Sequence, residues 1–256
     1  MPEPYYSIIV PAYNEAQRIG PSLERMLSYI AASNWSAEII VVNDGSRDNT
    51  AAIVNEFARR TPIARLLENP GNRGKGYTVR NGMMNASGQV LLFTDADLSS
   101  PIEEAPKLFA PIERGEADIA IGSRYLQRQL QTTKQPLYRR VLGRAFNLAL
   151  RSILGLSYVD TQCGFKAFSR KAAMTVFPAM KIEAWGFDPE ILFLARRYGL
   201  RVVEIGVSWA HDHRSKINPL RDGARMFSEL VRVRSNSITG KYLEPPSQGR
   251  VVTKIA

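Results

Sequence analysis

The chain has 256 residues, of which 45% are hydrophobic and 23% charged. The length suits one large α/β domain or two small ones, and the composition excludes wholesale disorder. The single Cys (Cys163) excludes a disulfide framework and a Cys-cluster metal site, and two His (His211, His213) are a thin basis for a His-rich one. The net charge of +10 is uneven: residues 1–124 hold 12 basic and 15 acidic side chains, residues 125–256 hold 22 and 9. That excess aims the second half at an anionic partner, whether nucleic acid, phosphate ligands or a membrane.

In chain order, the apolar run 6–11 (YSIIVP) predicts a buried strand. Residues 15–32 carry Ile19, Leu23, Met26, Leu27 and Ile30 at helical spacing. A second strand is predicted over 38–43 (EIIVVN), a helix over 48–60, a third strand over 63–67 and a helix over 77–86. Residues 89–94 (QVLLFT) and 118–122 (DIAIG) read as further strands. Apolar strands alternating with helices predict a mostly parallel sheet covered on both faces, the α/β class. In the second half, helices are predicted over 138–154, 169–177, 189–198 and 220–234, and a strand over 201–207. The tail from 243 to 256 shows no period and reads as disordered. With no sharp break in composition, residues 1–242 read as one domain.

Each early strand ends in polar residues: Pro11-Ala12-Tyr13-Asn14-Glu15, then Asn43 to Thr50, then Asp95-Ala96-Asp97. Asn14, Asp48 and Asn49 can cap helices, and Asp44-Gly45 can turn the chain. Three such clusters at successive strand ends favour a ligand site, since open α/β sheets bind ligands at their carboxyl edge. Asp95 and Asp97 are the sharpest signal. Two carboxylates two residues apart can share a divalent ion where a strand ends and the backbone turns. Hard oxygen ligands suit Mg²⁺ or Mn²⁺, and Mg²⁺ takes one or two carboxylates plus substrate phosphates.

The order VPAYNE, VNDGSxDxT, GKGxxVRxG, DADLS and GSR resembles the inverting nucleotide-sugar glycosyltransferases of GT-A fold. Asp160 to Lys166 (DTQCGFK), Trp185 to Glu190 (WGFDPE), and Ser208-Trp209 followed by Arg214-Ser215-Lys216 resemble the dolichyl-phosphate β-glucosyltransferases and the related dolichyl-phosphate mannose synthases. The likeness runs from about Tyr6 to Ile217. It implies transfer of a hexose, glucose from UDP-glucose, with inversion to a polyprenyl phosphate. GDP-mannose as donor and a hydroxyl acceptor are the alternatives. It implies a donor-binding half (1–124) and an acceptor-binding half (125–242). Pro11, Tyr13 and Glu15 would line the nucleoside pocket, and Asp44 would bond the base edge. Lys75 would lie beside the nucleotide, Asp95 and Asp97 would meet the ribose and the metal–diphosphate, and Arg124 would sit near the phosphates. Ser99 stands where mannose synthases carry a metal-binding Gln.

On the acceptor side, Arg139, Arg140, Arg214, Ser215 and Lys216 are candidates for the lipid phosphate, because guanidinium forks match phosphate geometry. Asp188 and Glu190 are base candidates for a hydroxyl acceptor; the same residues also read as a helix cap with an acidic first turn. Cys163 reads as a packed small residue. No apolar run approaches the roughly 20 residues of a spanning helix, and the first residues lack a signal peptide's basic region. The expectation is a cytoplasmic protein held peripherally on an anionic membrane by basic amphipathic helices. Nucleic acid is the weaker reading, because the basic residues interleave with apolar ones at helical period and no nucleic-acid module is recognised.

Overall fold

A computed structural model describes residues 3–126, 148, 150–210 and 219–242. Its strands are β1 (Tyr6–Ala12), β2 (Ala37–Asn43), β3 (Ala64–Glu68), β4 (Val90–Thr94), β5 (Ile119–Ser123), β6 (Phe165–Ser169) and β7 (Val202–Gly206). Its helices are α1 (Ile19–Ala32), α2 (Thr50–Arg60), α3 (Lys75–Met84), α4 (Ala105–Glu113), α5 (Arg170–Val176), α6 (Phe187–Arg197) and α7 (Pro219–Ile238). The strands form one sheet in the order β3-β2-β1-β4-β6-β5-β7. Every pairing is parallel except those of β6, which runs antiparallel to both β4 and β5.

The central strands are apolar on both faces because both faces are covered. Ile8, Val10, Ile39 and Val41 point to one side, where Ile19, Leu23, Met26 and Ile30 of α1 and Phe57 of α2 meet them. Ile9, Ile40 and Val42 point to the other, toward Val79 and Met83 of α3 and Phe187 and Ile191 of α6. Removing each such side chain from water contributes about 1.5–3 kcal/mol, so these two layers carry most of the stability.

Two elements depart from the sequence reading. Strand β6 (Phe165–Ser169) is absent from it, while the helix expected over 169–177 forms over Arg170–Val176. The Ser169 hydroxyl accepts from Ala172 N at 3.2 Å and caps it. Lys166, the second residue of a five-residue run, disguises a central strand. The pleat sends Phe165 and Ala167 to one core layer and Phe168 to the other, with Lys166 on the Phe168 side. Helix α4 was not expected at all. It buries Ala105, Leu108, Phe109 and Ile112, but Pro106 and Pro111 interrupt its pattern.

The insertion of β6 between β4 and β5 interleaves the two halves of the chain. Of the helix predicted over 138–154, only residues 148 and 150–154 are described, and they are helical. The tail from 243 lies outside the described residues.

Candidate active site

The loops after β1 and β2 are stitched together by side chains. Asn14 N donates to Ser46 Oγ at 3.0 Å, and Arg47 N donates to Asn14 Oδ1 at 2.8 Å. Glu15 N donates to Thr50 Oγ1 at 2.8 Å, and Ala16 N to Asp48 Oδ2 at 3.1 Å. Asp48 Oδ1 accepts from Thr50 N at 3.0 Å, while Asn49, at the N-cap position of α2, makes no side-chain cap bond. Burial alone would raise the Asp48 carboxyl; the bonds from Thr50 and Ala16 outweigh it and hold the group below its ordinary value. Asn14, Ser46 and Asp48 therefore hold the two loops together.

Asp44 has a larger task. Its Oδ1 accepts from Asn69 Nδ2 and Arg73 N, both at 2.8 Å, and its Oδ2 from Gly74 N at 2.8 Å. Gly45 next to it sits at φ +69, and a Cβ there would lie 2.7 Å from the backbone carbon of Gly71. Only glycine lets the loop over 69–74 approach so closely. That loop delivers Lys75, the first residue of α3, to the end of β4.

There the chain turns sharply: Leu98 N donates to Asp95 O at 3.0 Å, Ser99 N to Asp97 Oδ1 at 2.9 Å, and Leu98 has φ 49. Lys75 Nζ bonds Asp95 Oδ1 at 2.5 Å. Arg18 Nη1 lies 3.5 Å from Asp97 Oδ2 while its Nε and Nη2 grip Glu15 at 2.5 and 2.6 Å. Burial would lower the Lys75 ammonium, but the Asp95, Asp188 and Asp97 carboxylates more than reverse that and leave it raised. Gly164, in the loop before β6, packs so tightly that a Cβ there would fall 2.1 Å from Asp95 Oδ2. Two partly exposed carboxylates thus meet two cations at the carboxyl edge of the sheet. Asp97 is one-fifth exposed and Asp95 about one-third.

The match to known proteins covers this whole arrangement. The glycosyl transferase family 2 profile spans residues 7–177. A dolichyl-phosphate β-glucosyltransferase of Trichomonas vaginalis is 38% identical over 244 residues, covering 90% of this chain and 71% of that protein. The Saccharomyces cerevisiae protein of that name is 35% identical over 260 residues, covering 94% and 77%. The chain belongs to glycosyl transferase family 2, among the dolichyl-phosphate β-glucosyltransferases. In fold, this transferase is similar to the crystal structure of glucosyl-3-phosphoglycerate synthase from Mycobacterium tuberculosis in complex with Mn²⁺, UDP-glucose and phosphoglyceric acid. That likeness has a TM-score of 0.69 at 21% identity and covers 96% of this chain and 82% of that one.

The transferase places its other sequence-predicted residues unevenly. Pro11 is partly buried at the end of β1, and Tyr13 is 42% exposed beside it. Arg124 does not project alone toward the donor cluster. It forms a two-pronged pair with buried Asp160, Nε to Oδ2 at 2.7 Å and Nη2 to Oδ1 at 2.9 Å, and its guanidinium lies 5.6 Å from the Trp209 ring. Burial would raise Asp160; the Arg124 guanidinium reverses this and keeps it low. Asp188 is not a helix cap: α6 starts at Phe187, with Gly186 at the cap position. It lies inside the first turn, buried, and bonds the buried Lys166 Nζ. Burial pushes the Asp188 carboxyl up, and Lys166 and Lys75 offset only part of that rise.

Glu190, one position past Pro189, serves a different structure. It is fully buried, its Oε1 accepting from Lys181 N at 2.9 Å and Tyr242 Oη at 2.8 Å, and its Oε2 from Ile182 N at 2.9 Å. Cys163 is packed at 1% exposure, and burial pushes its thiol up to about 12, so no thiolate forms near neutral pH. Arg139, Arg140, Arg214, Ser215 and Lys216, with His211 and His213, lie outside the described residues. Arg18 and Gly164 were missed as site residues. Arg18 sits on the exposed side of a helical start in sequence, and its convergence on Asp97 depends on where α1 docks.

Gly164→Ala is expected to cut transferase activity at least about a hundredfold, because the methyl group must displace the Asp95 carboxylate, and misplaced groups are costly to catalysis. A thermal melt measured beside the rate separates this from unfolding; a variant that melts normally and retains more than half the rate would contradict the packing argument.

A divalent ion fits this donor set. Among the described residues no group of three or more His, Cys, Asp or Glu could hold one by itself. Asp95 and Asp97 provide two hard, partly exposed oxygens, the number Mg²⁺ uses when substrate phosphates complete its shell.

Proposed function

We propose that the transferase moves glucose from UDP-glucose to a polyprenyl phosphate of the dolichyl type, with inversion at the anomeric carbon and with Mg²⁺ or Mn²⁺. The observation that carries this reading is the 30–38% identity to dolichyl-phosphate β-glucosyltransferases over at least 90% of the chain, donor cluster included. Asp95 and Asp97 hold the ion, whose role is to neutralise charge on the departing diphosphate. Asp44 fixes the loop that aims Lys75, and Lys75 brings a point charge to the phosphates while orienting Asp95. Arg18 orients Asp97 through its grip on Glu15. Asp188, locked to Lys166, positions this row of alternating charges. A phosphate acceptor is already ionised at neutral pH, so attack needs no strong base.

Among the described residues no helix is long and apolar enough to cross a membrane, and a lipid acceptor is met at the bilayer surface.

The deciding experiment offers UDP-glucose or GDP-mannose, with Mg²⁺ or Mn²⁺, and a polyprenyl phosphate. Glucose transfer giving a β-linked product is expected; mannose transfer alone, or an α-linked product, overturns the reading. Chelation with EDTA is expected to stop transfer, and added Mn²⁺ or Mg²⁺ to restore it. Full activity in EDTA would refute the metal assignment.

A further inference from the structure

Helix α6 carries the buried Asp188 in its first turn and Arg196 and Arg197 in its last. At about 1.5 Å rise per residue the two ends stand roughly 12 Å apart. At the far end lies a cavity of about 360 Å³. Its walls include Ile153, Leu154 and Phe193, and three arginines line it: Arg196, Arg197 and Arg234 of α7. Among the described residues no Asp or Glu lines it. Arg196 is held by a hydrogen bond to the Gly155 carbonyl, and Arg197 Nη1 donates to Ser237 Oγ at 3.5 Å. Two arginines at a helix C-terminus also complement the helix dipole. That does not account for Arg234, which arrives from a different helix.

The outer face of α7 supplies the second observation. The helix buries Leu230, Val233 and Asn236 against the protein, yet exposes Phe227 (48%), Val231 (48%) and Ile238 (73%). At about 100° per residue, positions 227, 231, 234 and 238 share one stripe roughly 60° wide, with Arg234 at its edge on the side of the buried Leu230. The exposed Leu148 (67%) adds a further apolar side chain among the described residues of the preceding helical segment. An apolar stripe bordered by arginines matches a bilayer surface, whose acyl boundary takes the apolar groups and whose headgroup phosphates take the guanidiniums. The helix also links this face to the donor cluster. Glu229 Oε2 accepts from Gly186 N at 2.6 Å, next to Trp185, whose ring lies 5.2 Å from Lys75 Nζ.

We propose that the outer face of α7 and the arginine-lined cavity form a docking surface for an anionic bilayer, with one lipid headgroup phosphate seated among Arg196, Arg197 and Arg234. The surface is separate from the donor cluster and rests on the lipid-acceptor reading above. It holds α7 in the plane of the membrane and keeps the carboxyl edge of the sheet beside the lipid.

The test is cosedimentation of the full chain with vesicles of phosphatidylcholine alone, or with about one-third phosphatidylglycerol, near 0.1 M salt. Binding to the anionic vesicles is expected, weakened about tenfold or more in R197Q/R234Q and, separately, in V231S/I238S. None of these residues touches the donor cluster, so both variants are expected to glucosylate a short-chain, water-soluble polyprenyl phosphate at the unsubstituted rate. Unchanged vesicle binding by both variants overturns the proposal. So does release of the protein by low millimolar inorganic phosphate at constant ionic strength, which assigns the arginines to free phosphate. Absent short-chain transfer by the unsubstituted protein would instead refute the transferase reading and leave the vesicle result standing.

Discussion

Asp97→Ala is expected to lower kcat/KM for glucose transfer by about a thousandfold, the scale of losing a preorganised electrostatic group from a transition state. Asp97 stands at the turn after β4, its Oδ1 fixed by Ser99 N at 2.9 Å and its Oδ2 3.5 Å from Arg18 Nη1. Removing it takes one of the two carboxylates offered to the ion. The fold has little at stake, because the side chain is one-fifth exposed and Arg18 retains both bonds to Glu15. The melting temperature is therefore expected to move by only a few degrees. Steady-state rates across a Mn²⁺ titration check this prediction. Metal-stimulated transfer within tenfold of the unsubstituted protein would show that Asp97 does not hold the metal.

Lys166→Met is expected to destabilise the fold by about 3–5 kcal/mol, because it strands a buried carboxylate. Lys166 is fully buried in β6. Its ammonium donates to Cys163 O at 2.6 Å, bonds Asp188, and lies 5.3 Å from the Phe93 ring centroid. Burial already raises the Asp188 carboxyl above its ordinary 3.8, even with Lys166 present. The folded state therefore binds more protons than the unfolded chain, and this group's contribution declines as pH rises from 3.8 through its folded value. Taking away the ammonium lifts that folded value further and extends the window upward. The loss caused by Lys166→Met is thus expected to be larger at pH 8 than at pH 5. Denaturant unfolding at both pH values measures it. The double variant Lys166→Met with Asp188→Leu is expected to recover much of the loss, since it leaves no buried charge. A loss under about 1 kcal/mol, equal at both pH values, would contradict the ion-pair argument.

Strands β1, β2, β4 and β5 were legible because each is a short apolar run covered on both faces, a pattern that survives without tertiary information, whereas β3 is a half-buried edge strand. Helix α1 was legible because Ile19, Leu23, Met26 and Ile30 recur on one face and all are buried. The carboxylate pair was legible for a chemical reason: two Asp directly after an apolar strand have few structural uses. Strand β6 was hidden because a buried Lys at its second position is stable only once Asp188, 22 residues away, arrives to pair with it. No local pattern announces such a partner.

The same reasoning separates the site residues. Asp95, Asp97 and Lys75 stand out by residue type and by position at strand and helix ends. Arg124 was read as a phosphate neighbour from the resemblance of its Gly-Ser-Arg run, and its direction is set by Asp160, which the chain folds back 36 residues later. The two acidic residues of the Asp188-Pro189-Glu190 run look equivalent in sequence. Their neighbours divide them, one joining the Lys166–Lys75–Asp95 row and the other bracing residues 181–182 and Tyr242.

By itself, then, the sequence determined the class of sheet, the carboxylates that stand at the carboxyl edge of β4 and the concentration of positive charge in the second half. These follow from local periodicity and residue chemistry. Only the tertiary structure decided which cation faces which carboxylate, that Gly164 must lack a side chain, and that Arg234 joins Arg196 and Arg197 around one cavity. Those outcomes are set by how separate elements dock, and docking depends on packing between residues far apart in the chain.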